Sequence, residues 1–552
     1  MTSSSLRVIP LGGLGEIGKN MMALEYGDDI IVIDCGLSFP TEDMPGVDLV
    51  IPDISYLIKN RCKIRGILIT HGHEDHTGAL PFVLPHLQVP VFASSLAYNL
   101  ISVKLKDRKI YDGVTLHVIK PDVPISLGNF KVEAFSVSHS IPDAMGFAIR
   151  TPVGLIIHTG DFKIDHSPID GIRTDLAKLA RYGQEGVTLL LSDSTYAELE
   201  GYTPSEQVVG KALDRVVAEA PGRVLVATFA SLISRIQQII DAAAHHDRKV
   251  AILGRRMVEN VTMATKMGYI KVPDGVLISP SQATKLPNSQ VVVVTTGSQG
   301  EPTSALVRMA KGEHRQIEVV SGDTVVISAT AIPGNERMVY RTINDLTRRG
   351  AKVIYDKIAL VHVHGHGAQE ELKTVLSLTK PRFFVPIHGE YKGLVAHAAI
   401  AQLMGVHKDH TFVLEDGDVF EIGPNVGEVT GKVSAGYVYV DGKGTICSNS
   451  LVLRDRRQLS RDGVVVIVVN CDKENGNILA NPVIFSSGFV EKTREPDLFD
   501  EVSRRIRDVI VNEKQLPVHS ANLNEKVKEL AGKILYKSTG SQPMIVSVTQ
   551  WV

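Results

Sequence analysis

The sequence predicts an α/β protein of several domains, and three observations lead to that prediction. The chain has 552 residues of ordinary composition, which is enough for two to four domains with real cores. Short apolar runs typical of buried strands recur along it, and several end at a His or an Asp. Between about 204 and 350 such runs alternate with helical stretches, the pattern of a parallel sheet covered by helices.

One segment gives the clearest indication of chemistry. Residues 70–76 read Thr-His-Gly-His-Glu-Asp-His and follow the apolar residues 66–69, so they lie at the end of a strand. Four metal-binding side chains fall there, namely His71, His73, Asp75 and His76. Neutral imidazole and carboxylate suit divalent zinc or manganese, and alternation along a strand lets His71 and His73 share one ion. A polar, solvated loop is the alternative.

A glycine-rich motif near the start imitates a nucleotide-binding sequence. Gly13-Leu14-Gly15-Glu16-Ile17-Gly18 matches G-x-G-x-x-G, and Asp34 follows at a suitable distance. A crossover helix needs at least ~10 residues plus loops, which do not fit before the strand at 30–33. We therefore predict a hairpin here, with glycines beside a close backbone approach and nucleotide binding as the alternative. Asp34 is predicted to support the metal-binding loop.

Further ligands are expected at other strand ends. Apolar runs that begin at 132, 155 and 383 lead to His139, Asp161 and His388. Each residue alone could be a satisfied structural His or Asp. Together with the cluster at 71–76 they indicate one metal centre on the loops of a rigid scaffold.

These residues resemble the metal signature of the metallo-β-lactamase superfamily. The resemblance implies a four-layer αβ/βα sandwich with two divalent cations, zinc first and manganese or magnesium as alternatives. The ligands it implies are His71, His73 and His139 for one ion, Asp75, His76 and His388 for the other, and Asp161 as the bridge. A bridging carboxylate also suits two cations that lie ~3.5–4 Å apart.

A domain-sized insertion of about 220 residues separates Asp161 from His388. Asp193 ends a strand-like run after Asp161, and the turn His362-Val363-His364-Gly365-His366 precedes His388. These features resemble the extra motifs of the β-CASP nucleases. With the glycine-rich start and residues 46–53, the resemblance narrows to the ribonuclease J family and covers the chain from about residue 11. Members commonly have Ser where this chain has His364.

The fold class implied is a metallo-β-lactamase αβ/βα sandwich with an inserted α/β β-CASP domain and a small α+β C-terminal domain. The expected limits are 1–203 and 351–430 for the first domain, 204–350 for the insertion, 431–450 for a linker and 451–552 for the last domain. In the last domain the sequence predicts strands at 464–470 and 478–485 joined by a turn at Asn475-Gly476, helices at 496–512 and 524–537, and a strand at 544–551.

The function implied is a two-metal-dependent ribonuclease that cleaves RNA internally and from the 5′ end during RNA maturation and decay, including processing of ribosomal RNA. The catalytic residues expected are Asp75, Asp193 and His366. His366 would protonate the leaving 3′-oxygen or stabilise the phosphorane-like charge, and Asp193 would orient His366. Substrate contacts are expected from His362, Val363, His364, Gly365 and His366, and from Ser231, Arg235, Ser298 and Glu301 around a 5′-monophosphate. Ordinary glycine-rich turns are the alternative for the last four.

Charge and targeting signals limit the partners. The formal net charge is −2, so a polyanion must be held by bound cations or by a local patch. The basic residues Arg454, Arg456, Arg457 and Arg461 could follow RNA, although a solvated face is the favoured interpretation. Dispersed cysteines, the lack of a signal peptide and the lack of an 18-residue apolar run predict a cytoplasmic protein with no membrane contact. The resemblance adds a homodimer or homotetramer and a structural calcium near Asp441.

Three other functions remain open from the sequence. A hydrolase of small esters or lactones could use the same scaffold, although the insertion and the Asp193/His366 pair argue against it. A DNA-directed β-CASP nuclease differs only in how the 2′-hydroxyl is recognised, and no residue can be assigned to that task. A non-catalytic scaffold protein is disfavoured because every expected ligand is present.

Overall fold

The computed structural model describes residues 5–41, 43–332, 334–423, 426–442, 446–447, 450–473, 477–512 and 521–552. Within it the chain forms two units. The first unit comprises Met1–Phe39 and Leu49–Val438, and the second comprises Pro40–Asp48 and Tyr439–Val552.

Two sheets form the centre of the first unit. The larger has eight strands, in spatial order Gly427–Lys432, Asp418–Ile422, Leu6–Gly12, Met21–Tyr26, Asp29–Ile33, Ile64–Leu68, Val91–Ala93 and Leu116–Val118. The smaller has six, in the order Phe383–Ile387, Val187–Asp193, Gly154–His158, Met145–Thr151, Phe130–Ser136 and Ile125–Leu127. The two sheets pack face to face through an apolar core that includes Leu24 and Ile31 from one and Phe147 and Leu189 from the other.

Helices cover the outer faces of both sheets. Helix Ser95–Asp107 contacts edge strands of the larger sheet, and helices Leu176–Glu185, Gln369–Thr379 and Tyr391–Leu403 pack on the smaller one. The order helix, sheet, sheet, helix confirms the predicted four-layer sandwich. The other helices of these layers are Ser55–Lys59, Glu74–Thr77 and Leu80–Leu87.

The hairpin predicted at the glycine-rich motif is confirmed. Strand Met21–Tyr26 pairs antiparallel with Asp29–Ile33 across a turn in which Gly27 has φ +62°. No crossover helix separates these two strands, so the motif is not a dinucleotide-binding unit. Instead the short strand Leu14–Gly15 pairs with Gly389–Glu390, the residues that directly follow His388.

The insertion contains its own parallel sheet, as the alternation of strands and helices predicts. Its six strands, in spatial order, are Leu277–Ile278, Lys249–Ile252, Val291–Thr295, Val224–Ala227, Thr324–Ile327 and Lys352–Ile354. Side chains alternate between two helix-covered faces, so Val224 and Val226 join one core and Leu225 joins the other. The helices are Gln207–Glu219, Ile233–His245, Arg255–Lys266, Pro280–Ala283, Ala305–Lys311 and Glu336–Arg348.

The insertion leaves the six-stranded sheet intact for a topological reason. Strands Val187–Asp193 and Phe383–Ile387 flank the insertion in sequence, yet they are neighbours and pair in parallel. Asp193 pairs with Ile387 in that register, one residue before His388. The chain therefore leaves and re-enters the sheet at adjacent parallel strands, and the carboxyl ends of these strands place Asp193 and His388 at the same sheet edge.

The second unit is a three-stranded sheet with helices on one face. Strand Val464–Cys471 pairs antiparallel with Val483–Ser487 and parallel with Met544–Trp551. Helices Glu495–Asn512 and Ala521–Thr539 bury one face of this sheet, and Ser450–Asp462 completes the unit. The short strands Tyr437–Val440 and Ile446–Cys447 pair antiparallel before it.

The structure corrects one strand of this unit. The second strand begins at Val483 rather than at 478, and before it only an isolated bridge joins Ile478 to Cys471. Residues 478–482 therefore belong to the connection between the two strands and are not part of the second strand. The predicted turn at Asn475-Gly476 lies outside the described residues. Within the described ranges, no helix combines the length and apolar character needed to cross a bilayer.

Candidate metal centre and catalytic pair

Three histidines converge at the end of strand Ile64–Leu68. The Nε2 atom of His71 lies 2.9 Å from Nδ1 of His73, which in turn lies 3.2 Å from Nε2 of His139. Zinc–nitrogen bonds of ~2.0–2.1 Å place tetrahedral ligands about 3.3 Å apart. The three nitrogen atoms are thus spaced as the ligands of one small cation.

A second group of four side chains lies beside the first. Asp75, His76, Asp161 and His388 each offer one donor atom. These four atoms lie within 4.8 Å of one another, close enough to bind one metal ion. The Oδ2 atom of Asp161 is 3.1 Å from Nε2 of His76 and 3.4 Å from Nε2 of His388. The same oxygen is 3.7 Å from Nε2 of His71, a member of the first group. One carboxylate oxygen therefore faces both groups, as a bridge between two cations requires.

Burial gives the first group the protonation state that a metal needs. It lowers the pKa of His73 to about 4 and holds the pKa values of His71 and His139 well below their ordinary value. These imidazoles are neutral near pH 7, so each keeps a nitrogen lone pair for a cation.

In the second group, attraction between carboxylates and imidazoles determines the direction of the pKa shifts. Burial would raise the pKa of Asp161, but the imidazoles of His388 and His76 outweigh it and hold that pKa well below its ordinary value. Burial would likewise lower the pKa of His388, yet Asp161 and Asp75 raise it to about 9. Ionised carboxylates buried among histidines attract positive charge, which divalent cations would supply.

Hydrogen bonds fix the orientation of four of the five histidines. The Nδ1 atom of His76 donates to Asp34 at 2.7 Å, and that of His139 donates to the carbonyl of Gly365 at 2.7 Å. The hydroxyl of Thr70 donates to Asp34 and accepts from Nδ1 of His71. Near His388, Thr195 acts in the same way, accepting from its Nδ1 at 2.6 Å and donating to Asp193 at 2.8 Å. Each bond places Nε2 toward the centre.

The glycine-rich motif and the residues after it pack against the segment that carries Asp75 and His76. Asn20 Nδ2 donates to the carbonyl of Asp75 at 3.1 Å, which holds the helix that carries Asp75 and His76. A Cβ on Gly36 would lie 1.5 Å from that carbonyl oxygen, and one on Gly13 would lie 2.3 Å from Asn20 Oδ1. Only glycine fits at these two positions. Asp34 and His388 adopt positive φ of 61° and 53°, a strain often found at functional sites.

Asp193 and His366 form a close pair beside the candidate metal ligands. The Oδ2 atom of Asp193 accepts from Nδ1 of His366 at 2.7 Å, and its Oδ1 accepts from the backbone N–H of Thr195 at 3.0 Å. Burial opposes ionisation of Asp193, but the imidazole of His366 outweighs it and lowers the carboxyl pKa. The His366 ring lies between those of His139 and His388, 5.0 and 5.2 Å away. The pair therefore faces the same space as both groups of ligands.

The five residues of the turn at 362–366 take different positions. Val363 is buried in the core of the insertion, so only its backbone is available to a substrate. Gly365 packs against His139, where a Cβ would lie 2.5 Å from the ring. His364 stacks on Tyr196 with ring centroids 3.8 Å apart. The Nδ1 atoms of His362 and His364 are buried without a hydrogen-bond partner, so both rings retain polar capacity near the centre.

The four residues expected around a 5′-phosphate are not equivalent. Ser231, Ser298 and Glu301 follow strands of the parallel sheet, and none of their side chains hydrogen-bonds to the metal ligands. Arg235 differs from these three residues because its side chain is fully buried. Its guanidinium pairs with Glu206 at 2.6 Å and donates to the carbonyl of Val361 at 3.0 Å. These bonds favour a structural role, tying the helix to the strand edge before the catalytic turn.

Replacing Arg235 with Met is therefore expected to destabilise the inserted domain by about 3–5 kcal/mol, because the buried Glu206 would lose its nearest cation and keep only Lys163 at 3.9 Å. Hydrogen exchange of helix Ile233–His245 measures this local stability. The matched control is Arg215→Met, which removes an exposed ion pair with Glu219 and should leave the exchange unchanged. Unchanged exchange in Arg235→Met, with a raised KM for 5′-monophosphorylated RNA, would restore the phosphate-binding role.

Four supporting residues were not predicted from the sequence, namely Asn20, Thr70, Thr195 and Tyr196. Thr70 and Thr195 each lie one or two positions from a residue that was identified, so a hydroxyl next to a ligand is a usable signal. Asn20 and Tyr196 contact residues far along the chain, and their spacing gives no such signal.

Four known domain families match consecutive parts of the chain. They are the metallo-β-lactamase superfamily at residues 14–191, the ribonuclease J β-CASP domain at 221–346, the Zn-dependent metallo-hydrolase RNA specificity domain at 350–411 and the ribonuclease J C-terminal domain at 451–551.

Curated relatives match over nearly the whole chain. Ribonuclease J 1 of Streptococcus pyogenes serotype M3 is 41% identical over 99% of this chain and 98% of its own. Ribonuclease J of Thermus thermophilus is 43% identical over 98% and 95%, and ribonuclease J2 of Bacillus subtilis is 39% identical over 99% and 98%. A solved structure of a protein of unknown function from Enterococcus faecalis V583 shares the fold, with a TM-score of 0.52 and 16% identity over 76% of this chain and all of that one.

Proposed function

The chain belongs to the ribonuclease J family and is a metal-dependent ribonuclease, and on this premise we propose that it cleaves RNA at a centre for two divalent cations. Zinc is the first candidate because most of the donors are imidazoles, and manganese or magnesium is the alternative. The observation that carries the proposal is the single Asp161 oxygen that faces both groups of ligands. Both internal cleavage and removal of nucleotides from a 5′-monophosphorylated end are proposed.

The donor set fits such a pair of cations. His71, His73 and His139 would hold one ion, Asp75, His76 and His388 would hold the other, and Asp161 would bridge them. When bound, the cations supply an activated water and neutralise charge on the scissile phosphate. Asp75 is the more accessible of the two carboxylates, with a side chain 29% exposed against 3% for Asp161. It is therefore the carboxylate placed to contact a reacting water.

His366 is the proposed general acid. Its Nδ1 is held by Asp193, so the opposite nitrogen, Nε2, is the atom that can give a proton to the leaving 3′-oxygen. Asp193 is itself fixed by Thr195, which leaves the pair little freedom to rotate. The stack of His364 on Tyr196 restrains the same turn from its other side. Substrate contacts in this turn are proposed for His362, His364 and the backbone of Val363 and Gly365.

An assembly of at least two copies is also proposed. In the second unit, the sheet face opposite the helices exposes Val483, Phe485 and Val548, which a soluble domain ordinarily covers. A second copy of the same face would bury them in a homodimer, and a homotetramer is the larger alternative. We also propose a structural calcium near Asp441 and the domain limits 1–203, 204–350, 351–430, 431–450 and 451–552, with strand Lys352–Ile354 assigned to the insertion because it pairs in the sheet of that domain.

One RNA prepared with a 5′-monophosphate and with a 5′-triphosphate tests the proposal. We expect 5′-to-3′ degradation of the monophosphate form, internal cleavage of both forms, and loss of both activities when a chelator removes the cations. Metal analysis of the purified protein should find two equivalents of a divalent cation per chain.

A DNA strand of the same sequence and a chromogenic lactone are the matched substrates for the rival functions. Turnover of either substrate faster than that of RNA, or full RNA turnover in the metal-depleted protein, would contradict the proposal.

A further inference from the structure

We propose that the inserted domain carries a second RNA-binding surface outside the metal centre, which holds the single strand beyond the nucleotides being cleaved. The surface consists of Arg337, Tyr340 and Arg341 on helix Glu336–Arg348, with Lys357 from the segment after strand Lys352–Ile354. We call it the outer basic surface. The inference rests on the proposed function, because it requires RNA as the substrate.

The two arginines are exposed cations with a fixed position. Arg337 and Arg341 are four residues apart and so lie on one helix face. The opposite face is anchored by Val339, Ile343 and Leu346 in the domain core. Neither arginine forms an ion pair within the described residues. The surface thus presents two unneutralised guanidinium groups on a rigid element.

The carboxylates of the same helix bind groups within or next to that helix and, in the part of the chain that the structure describes, form no ion pair with Arg337 or Arg341. Glu336 accepts from the backbone N–H of Gly334 at 2.8 Å, and Asp345 pairs with Arg348 at 2.7 Å. Asp356 is a further exposed acid, next to Lys357 in sequence. Helix Glu336–Arg348 and residues 356–357 together carry four cations and three carboxylates, although the whole chain carries a net charge of −2. A local positive patch on a slightly acidic protein favours a polyanion as its occupant.

Aromatic groups lie between the cations. Tyr340 is exposed, the ammonium of Lys357 lies 5.0 Å from its ring centroid, and Tyr355 meets the ring edge-on at 6.4 Å. Ile358 and Leu360, which follow Lys357, are also exposed. Phosphate-binding cations interleaved with aromatic and apolar groups are typical of sites for single-stranded nucleic acid, in which bases stack and the backbone follows the charges.

The topology places this surface at the same sheet edge as the catalytic turn. Helix Glu336–Arg348 follows strand Thr324–Ile327, so its first turn lies at the carboxyl edge of the parallel sheet. Strand Lys352–Ile354 ends at that edge and leads through Lys357 and Leu360 into His362. An RNA held at the metal centre can therefore extend along this segment, whereas a short oligonucleotide would end before it.

The test compares a short oligoribonucleotide with a long single-stranded RNA that has the same 5′ end. In the variant Arg337→Gln with Arg341→Gln, we expect weaker binding of the long RNA. The slope of log Kd against the logarithm of the salt concentration should fall by about 1.4, the value for two single-strand phosphates. Tyr340→Ala should weaken the binding of the long RNA by roughly 5- to 150-fold without changing that slope. Turnover of the short RNA should be unchanged in both variants.

The control removes the same charge from the same domain at exposed, ion-paired positions, in Arg215→Gln with Arg255→Gln, and should alter neither the affinity nor the slope. An unchanged Kd and salt slope for the long RNA in the Arg337/Arg341 variant would overturn the inference. Loss of short-RNA turnover in that variant would also overturn it, because the residues would then act at the metal centre. Failure of the unmodified protein to cleave the short RNA would instead contradict the proposed function.

Discussion

Replacing Asp161 with Asn is expected to abolish RNA hydrolysis while the fold is retained. The variant keeps the size of the side chain but removes the charge that faces both groups of ligands. Changes in residues that only support metal ligands commonly cost ~10–100-fold in metal affinity or activity. A bridging ligand contacts both ions, so its loss should exceed that range and leave turnover near the background rate.

The physical reason is charge balance in a buried site. Asp161 is 3% exposed and lies within 3.8 Å of nitrogen atoms from His71, His76, His139 and His388. Two divalent cations would place four positive charges in this space, and only Asp75 would remain as a carboxylate ligand. We therefore expect the Asn variant to hold fewer than two cations, with the second ion bound weakly or lost.

Metal analysis and RNA turnover in metal-controlled buffer measure the two consequences separately, and circular dichroism monitors the fold. Asp409→Asn, at an exposed position, is the control and should behave as the unmodified protein. Undiminished turnover in Asp161→Asn would refute the bridging role. Full occupancy by two cations together with lost turnover would limit Asp161 to a role in catalysis.

Replacing His366 with Ala is expected to lower the single-turnover rate by ~10²–10⁴-fold and to leave the affinity for RNA nearly unchanged. The imidazole is held by Asp193 at 2.7 Å and lies between the rings of His139 and His388 without belonging to either proposed ligand set. It is thus placed to move a proton, and its removal should leave the metal content intact.

Rapid-quench measurement of the cleavage step and a binding titration distinguish the two effects. Asp193→Asn should reduce the rate through the orientation of His366, and the double variant should lose little more than His366→Ala alone, because the two residues act as a unit. His407→Ala, at an exposed histidine, is the control. An unchanged single-turnover rate in His366→Ala would remove this residue from the catalytic group. Two fully additive losses would instead show that Asp193 and His366 do not act as a unit.

The positions of the proposed ligands could be predicted because metal chemistry restricts residue type and because strand ends are readable from apolar runs. Residues 70–76 combine both signals, and His139, Asp161 and His388 each follow a strand. Asp34 was also predicted correctly as support for the loop, and its carboxylate accepts from Thr70 and His76. Local signals of this kind can be recognised without knowledge of the fold.

The α/β class, the strands before the proposed ligands and the residues expected to bind metal are all predictable from local sequence, because periodicity and donor chemistry are properties of neighbouring residues. The tertiary structure alone decided that one oxygen of Asp161 faces both groups and that Asn20 holds the helix of Asp75. It also decided that Arg235 is tied to Glu206 in the core, where the sequence predicts a phosphate contact. Each of these depends on groups that are distant along the chain, and only packing determines which of them meet.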